Sequence, residues 1–229
     1  MSRARSIFFI PAKFSLCHEG LLFVLIFMSM VGCSLRSPER SREVFGFAPE
    51  VPQHPAPKSA PVLAVRLIEA ASEFENQWFV YRTGEFEWKS DFYRVFANSP
   101  ASQVTDLTRR WLSGSGIFSA VSIPGLSPRE SWQLEGFLEE LYGDFRNPSK
   151  PEAVLTLEYA LYAPRVTASS NPLFNKKYTA RKPVTELTGA GLMRAWDAAL
   201  ADILGRLTRD LASINWTSVD EKSKVLAKY

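Results

Sequence analysis

Thiols and imidazoles are nearly missing from this 229-residue chain, which carries two cysteines, Cys17 and Cys33, and two histidines, His18 and His54. Cys17 and His18 lie ahead of or at the edge of the first long apolar run and leave with it if that run is an export signal, as argued below. Cys33 and His54 then remain. One sulfur and one imidazole make no normal ligand set for zinc or iron, so no metal and no cofactor is expected. His54 sits among prolines, whereas a Ser–His–acid triad needs an imidazole held rigidly between nucleophile and acid. No Ser-x-x-Lys occurs. A disulfide framework is excluded too, so stability must come from burial, which the 13% aromatic content can supply. Charge of one sign is equally scarce. The formal net charge is +3, and removal of residues 1–32 leaves 24 basic and 23 acidic residues. Nucleic-acid binding wants a clustered positive surface and is not expected.

What is present begins with Leu21–Cys33, LLFVLIFMSMVGC, uncharged throughout. Arg3, Arg5 and Lys13 precede it, and the small Gly32 stands directly before the cysteine. A positive flank, an apolar core and a small residue at a cut are the marks of an export signal. The core Leu21–Val31 would be about 16 Å long as a helix, too short for ~30 Å of hydrocarbon. Met30-Val31-Gly32-Cys33 resembles the lipobox of bacterial lipoproteins. That resemblance implies cleavage between Gly32 and Cys33, a diacylglycerol thioether on Cys33, and acylation of the new amino group. Ser34, which is not aspartate, implies delivery to the outer membrane, on its periplasmic side. Two or more acyl chains make a stable anchor where one is marginal.

Four segments follow: a signal at 1–32, a lipidated cysteine and tether at 33–61, a folded domain at 62–213, and a tail at 214–229. The tether holds six of the fifteen prolines. Proline fixes φ and removes donors, so this stretch is expected to stay extended, reaching at most about 90 Å at ~3.3 Å per residue. Val44, Phe45 and Phe47 interrupt it, and either form a short edge strand on the domain or stay solvated. The tail from Asn215 has few apolar residues and is expected to fray.

Within the domain, Val62–Ile68 reads as a buried strand. Trp78–Arg82 and Glu85–Trp88 flank Thr83-Gly84, a hairpin signal. Ser99 or Asn98 caps a helix that has Pro100 at its first position and Gly114 after its last. Ile117–Ser122, the alternating stretch around Trp132–Glu139, Ala153–Tyr162 and Phe174–Val184 read as strands. Thr188 caps a helix over Gly189 to about Ser213, with Leu192, Trp196, Leu200, Ile203, Leu207 and Leu211 on one stripe. The expectation is a single α/β or α+β domain, a mixed sheet of about six or seven strands with two main helices packed on it.

Catalytic chemistry has few candidates. Gly114-Ser115-Gly116 follows a helix instead of opening one, so it reads as a helix stop and not as a phosphate loop or nucleophile elbow. Two carboxylates suffice for glycoside hydrolysis. Glu85 and Glu87 share a predicted strand face, and Glu139, Glu140 and Asp144 lie close in sequence. Solvated acids have no reason to hold a raised pKa, so an envelope hydrolase is the remote alternative. The Trp196 stripe reads as core before it reads as a lipid groove.

The order of elements carries a further resemblance. Lipobox, proline-rich tether, Val62–Ile68, Phe79-Val80-Tyr81-Arg82, a helix ending at Trp111-Leu112, Ile117–Val121, Tyr142-Gly143-Asp144-Phe145 and a last helix with Trp196–Leu200 are together similar to the ABC-type transport auxiliary lipoproteins, the PqiC-like family that accompanies MCE-domain transporters. Many members carry an Arg-Trp-Ala-Glu-Pro-Leu-like run entering the first helix; this chain has Asp91-Phe92-Tyr93-Arg94-Val95-Phe96 there. The resemblance implies a non-enzymatic subunit of a machine that moves phospholipid or related hydrophobic molecules across the envelope. Its implied partners are an MCE-domain protein, an ABC permease and ATPase, and further copies of itself in a ring. A structural or assembly lipoprotein of the outer membrane is the alternative.

Overall fold

A computed structural model describes residues 41–126, 131–164 and 171–216. The expected signal, Gly32 and Cys33 lie outside the described residues. In chain order the elements are β1 (Glu43–Phe45), β2 (Val62–Val65), β3 (Glu69–Ala70), a 3₁₀ turn (Ser72–Phe74), β4 (Trp78–Arg82), β5 (Trp88–Phe96), α1 (Pro100–Ser113), β6 (Ala120–Ser122), β7 (Trp132–Asp144), β8 (Glu152–Tyr162), β9 (Phe174–Pro183) and α2 (Gly189–Ala212). They make one mixed α/β domain with a nine-stranded sheet and two helices. No helix among the described residues is long and apolar enough to cross a membrane.

The sheet is organised on β7, whose Trp132, Leu134, Leu138 and Leu141 are all buried. β8 runs antiparallel along its length, from Gln133↔Tyr162 to Asp144↔Glu152. The opposite edge of β7 is occupied in turn by β2, β3 and β4, each parallel to it. β9 pairs with β8, and carries Lys176, Lys177, Arg181 and Lys182. Charges of this kind discourage pairing at a sheet edge.

Both helices have the expected bounds to within a residue. Ser99 Oγ accepts from the Ser102 N–H at 3.2 Å and Pro100 opens α1. Thr188 Oγ1 accepts from the Gly191 N–H at 3.0 Å and opens α2. Such caps satisfy donors that the first helical turn leaves free. The α2 stripe is core: Trp196, Leu200, Ile203, Leu207 and Leu211 are inaccessible to solvent and join Leu155, Leu157 and Leu161 of β8 in one cluster.

Several details differ from the sequence reading, among them β6, which starts at Ala120 and not at Ile117, and β7, which runs on to Asp144. The two strands beyond the expected count are short, β1 and β3. The Val62–Ile68 strand stops at Val65, because the Ile68 N–H turns to Thr105 Oγ1 of α1 at 2.9 Å. At the far end, Ile214 and Trp216 do not fray: Trp216 packs edge-on against Phe118 and Trp132, at 5.4 and 5.3 Å between ring centroids. Residues 217–229 of the expected tail lie outside the described residues.

The largest difference is in the tether, for the folded body begins at residue 42 and not at Val62. β1 pairs in parallel with the end of β5, Glu43↔Arg94 to Phe45↔Phe96. Phe45 meets Phe79 at 5.2 Å and Phe47 stacks on Phe96 at 5.6 Å. The chain then crosses both helices as a strap. Phe47 N–H donates to Gln103 Oε1 of α1, Ala48 N–H to Asp197 Oδ1 of α2 (each 2.9 Å), and His54 N–H to the Gly114 carbonyl at 2.7 Å. Burial holds the Asp197 carboxyl above the usual carboxylate range despite the bond from Ala48. A Cβ at Gly114 would run into the Pro52 carbonyl oxygen, so glycine is what lets the strap pass over the end of α1. Two aromatic contacts and three backbone donors outweigh the extended bias of the prolines here.

Candidate functional site

The β4–β5 hairpin departs most from local expectation. Arg82 pairs with Trp88, so residues 83–87 form the connection in place of a two-residue Thr83-Gly84 turn. The N–H groups of Thr83 and Gly84 both point to the Glu87 carbonyl, at 3.0 and 3.4 Å. Glu85 and Glu87 therefore sit in a loop and share no strand face, which removes the first carboxylate pair. Glu87 is instead ion-paired with Lys89 at 3.0 Å, and that lysine lowers its pKa. Phe86, at the tip, is 89% exposed.

Further along β5 the register slips, from Phe79↔Asp91 to Trp78↔Val95. Phe92, Tyr93 and Arg94 are therefore looped out as a bulge, a device that bends a strand and re-aims its side chains. Asp91 organises it. Its Oδ1 accepts from the N–H groups of Tyr93 (2.9 Å) and Arg94 (3.1 Å), while Oδ2 meets Arg94 Nη1 (3.2 Å) and the Tyr81 hydroxyl (3.1 Å). Burial opposes ionisation of Asp91, but these bonds outweigh it and its pKa falls below the ordinary value. Burial and then the Asp91 charge push the Tyr81 phenol up to about 12. The bulge leaves Phe92 and Tyr93 more than half or half exposed, with Trp88 close behind.

The two segments that carry the family resemblance meet at the base of this hairpin. Tyr81 pairs with Gly143 and Arg82 with Asp144, and the Phe145 N–H donates to the Arg82 carbonyl at 2.8 Å. The Phe145 ring folds back edge-on to Tyr81 at 5.5 Å. A Cβ at Gly143 would lie 2.6 Å from that ring, so glycine is needed for the fold-back. Tyr142 packs against Phe74 at 6.5 Å and against Trp88 at 4.9 Å, and the Arg82 guanidinium lies 5.2 Å over Trp88. Asp144 is forked by Arg146 (2.9 and 2.6 Å) and touched by Arg181 (3.3 Å). The Arg146 bonds, against burial, hold its carboxyl down to about 2.

Between the hairpin and the start of α2 lies a cavity of about 270 Å³ lined by Tyr81, Arg94, Phe145, Leu187 and Leu192. Its wall is mainly apolar, with the Arg94 guanidinium, the Tyr81 phenol and the hydroxyls of Thr83 and Thr188 as its polar groups. Arg94 and Tyr81 are engaged with Asp91, and Thr188 Oγ1 accepts from the Gly191 N–H. Such a hollow suits an apolar side chain or a short acyl segment better than it suits proton transfer.

The remaining sequence candidates are separate and individually satisfied. Glu139 is ion-paired with Lys177 at 2.6 Å, and Glu140 accepts from the Thr156 hydroxyl at 2.6 Å. Each of Glu139, Glu140 and Asp144 thus has its own donor, and the three do not form an acid–base pair. Ser115 Oγ donates to the Leu112 carbonyl at 2.7 Å, as a helix stop would. Trp196 is core, not groove. Among the described residues no three His, Cys, Asp or Glu side chains are grouped to hold a metal ion. The exposed aromatics Phe86, Trp88, Phe92 and Tyr93 were not singled out by sequence. The available signal was the adjacent pair Phe92-Tyr93, which cannot both face inward on a regular strand.

No family model matches the chain, and no curated protein does. Solved structures do. A Xanthomonas campestris protein described under the family model DUF330 superposes with a TM-score of 0.63 at 18% identity, over 80% of this chain and 99% of that one. A second, described as an uncharacterized protein, gives 0.60 at 11% identity, over 75% and 99%. At these identities the likeness is one of fold.

Proposed function

We propose that this chain is a lipid-anchored, periplasmic auxiliary subunit of an MCE-type ABC transporter that moves phospholipid or related hydrophobic molecules across the envelope. The observation that carries the reading is the junction of Val80-Tyr81-Arg82 with Tyr142-Gly143-Asp144-Phe145. These are the segments that most resemble the PqiC-like lipoproteins, and they lie side by side in the fold. The fold shared with the DUF330 protein is consistent with this reading. The subunit works by binding and not by catalysis. In support, Glu139, Glu140 and Asp144 are each tied to a separate partner. Cys33 is the modification site, Gly32–Cys33 the cleaved bond, and the outer membrane, periplasmic face, the location.

Two measurements test it. Labelled palmitate should mark the protein and should fail to mark Cys33→Ala; equal labelling of both overturns the anchor. Affinity purification of the native lipoprotein should bring down an MCE-domain protein or a permease. Its absence from such complexes favours the structural-lipoprotein alternative.

A further inference from the structure

The β4–β5 hairpin carries four exposed aromatics, Phe86 89%, Phe92 60%, Tyr93 50% and Trp88 46% exposed. Several exposed aromatics on one hairpin point to a contact surface. Two features of the same region say what meets them. The first is the length of chain outside the fold. Had residues 34–61 been free, the domain would stand up to about 90 Å from Cys33. Because β1 docks at Glu43, ten residues remain, a reach of at most about 33 Å. The second is direction. β1 is parallel to β5, so the chain arrives at Glu43 from the side on which the bulge and hairpin lie. On β4, Arg82 faces Trp88 and Trp78 faces Val95, so the two ends of β5 lie about 13 Å apart at ~3.3 Å per residue. The described chain therefore begins on the hairpin side of β5, and the tip is within the reach of the residues that separate Glu43 from Cys33.

Charge selects among surfaces. At the tip Arg82 and Lys89 balance Glu85 and Glu87, Lys89 being paired with Glu87 and Arg82 lying over Trp88. A neutral aromatic tip suits the zwitterionic interface of a bilayer, where Trp and Tyr settle with their polar edges among headgroups. A strongly acidic or basic partner finds no counter-charge on it.

We propose that the β4–β5 hairpin is a second membrane contact, in which Phe86 and Trp88 enter the lipid interface and fix the orientation of the domain. The acyl chains hold the protein at the bilayer; the hairpin sets which face it turns toward the periplasm. This rests on the reading of Cys33 as the lipidated residue.

The test uses the processed lipoprotein reconstituted in phosphatidylcholine vesicles, either plain or with dibrominated acyl chains. Bromine quenches indole emission only where the ring reaches the acyl region. The expected result is loss of the Trp88 share of the fluorescence in brominated vesicles, unchanged on raising the salt. The same comparison in Trp88→Phe should show no such loss, and Phe86→Ser should reduce it. Equal emission from both vesicle types, with the protein still floating with the lipid, overturns the hairpin contact and leaves the anchor standing. So does photocrosslinking of position 86 to a second protein instead of to lipid. A protein that neither floats nor incorporates palmitate overturns the anchor and the hairpin contact together.

Discussion

Strand β5 carries its apolar side chains to opposite fates at its two ends. Val95 and Phe96 are 3% and 1% exposed, with Phe96 lodged against Phe79, Phe47 and Trp196. Trp88, Phe92 and Tyr93 are at least 46% exposed. Asp91 and the bulge it holds separate the two halves. Aromatic content alone therefore does not mark core in this chain; what decides is whether the strand lies under α2 and the strap or has run past them. One half contributes stability. The other leaves apolar surface exposed.

The sharpest way to break this contrast is to remove a ring from the buried side. Trp196→Ala, at a fully buried site packed on Phe79 and Phe96, should cost about 3–5 kcal/mol, seen as a lower midpoint in urea. A smaller effect is expected beside the hairpin base. Asp144 is depressed to about 2 from an ordinary 3.8, so it contributes stability above the unfolded pKa that is lost as pH falls through the folded one. Asp144→Asn should cost about 1–2 kcal/mol at neutral pH, discounted because Arg146 and Arg181 are 40% and 42% exposed. It should also flatten the decline in stability between about pH 4 and pH 2, read from denaturant midpoints at several pH values. The smallest change belongs to the exposed half: Phe86→Ser should move the midpoint by less than about 0.5 kcal/mol. A cost near that of Trp196→Ala would erase the distinction between the two halves.

Much of the architecture was legible because it is written locally. Ser99-Pro100 and Thr188 announce helix starts by side-chain chemistry at fixed offsets, and the α2 stripe repeats at helical spacing, so both helices and the strands β8 and β9 are legible close to their bounds, whereas β7 runs five residues past Glu139. What escaped depends on register between distant segments. Nothing in Val44–Phe47 alone says that its rings have partners at Phe79 and Phe96, so the sequence leaves the strap between strand and tether. Thr83-Gly84 looks like a two-residue turn until Arg82 is seen to pair with Trp88. The candidate site was half legible. Tyr81, Arg82 and Tyr142–Phe145 stood out by resemblance, but their adjacency comes from β4 lying parallel on β7. The exposure of Phe86 and Phe92 comes from a bulge whose anchor, Asp91, is chemically ordinary.

The strap also has a mechanical consequence. Tension on the chain ahead of Glu43 acts along the axis of β1, whose pairing with β5 spans Glu43 to Phe45, so the hydrogen bonds there are sheared together and not unzipped singly. Only after they yield does load pass to Phe47, to the Ala48–Asp197 bond and to His54 at the end of α1. Were the domain held by its amino terminus, β1 would be the clasp that takes the load first.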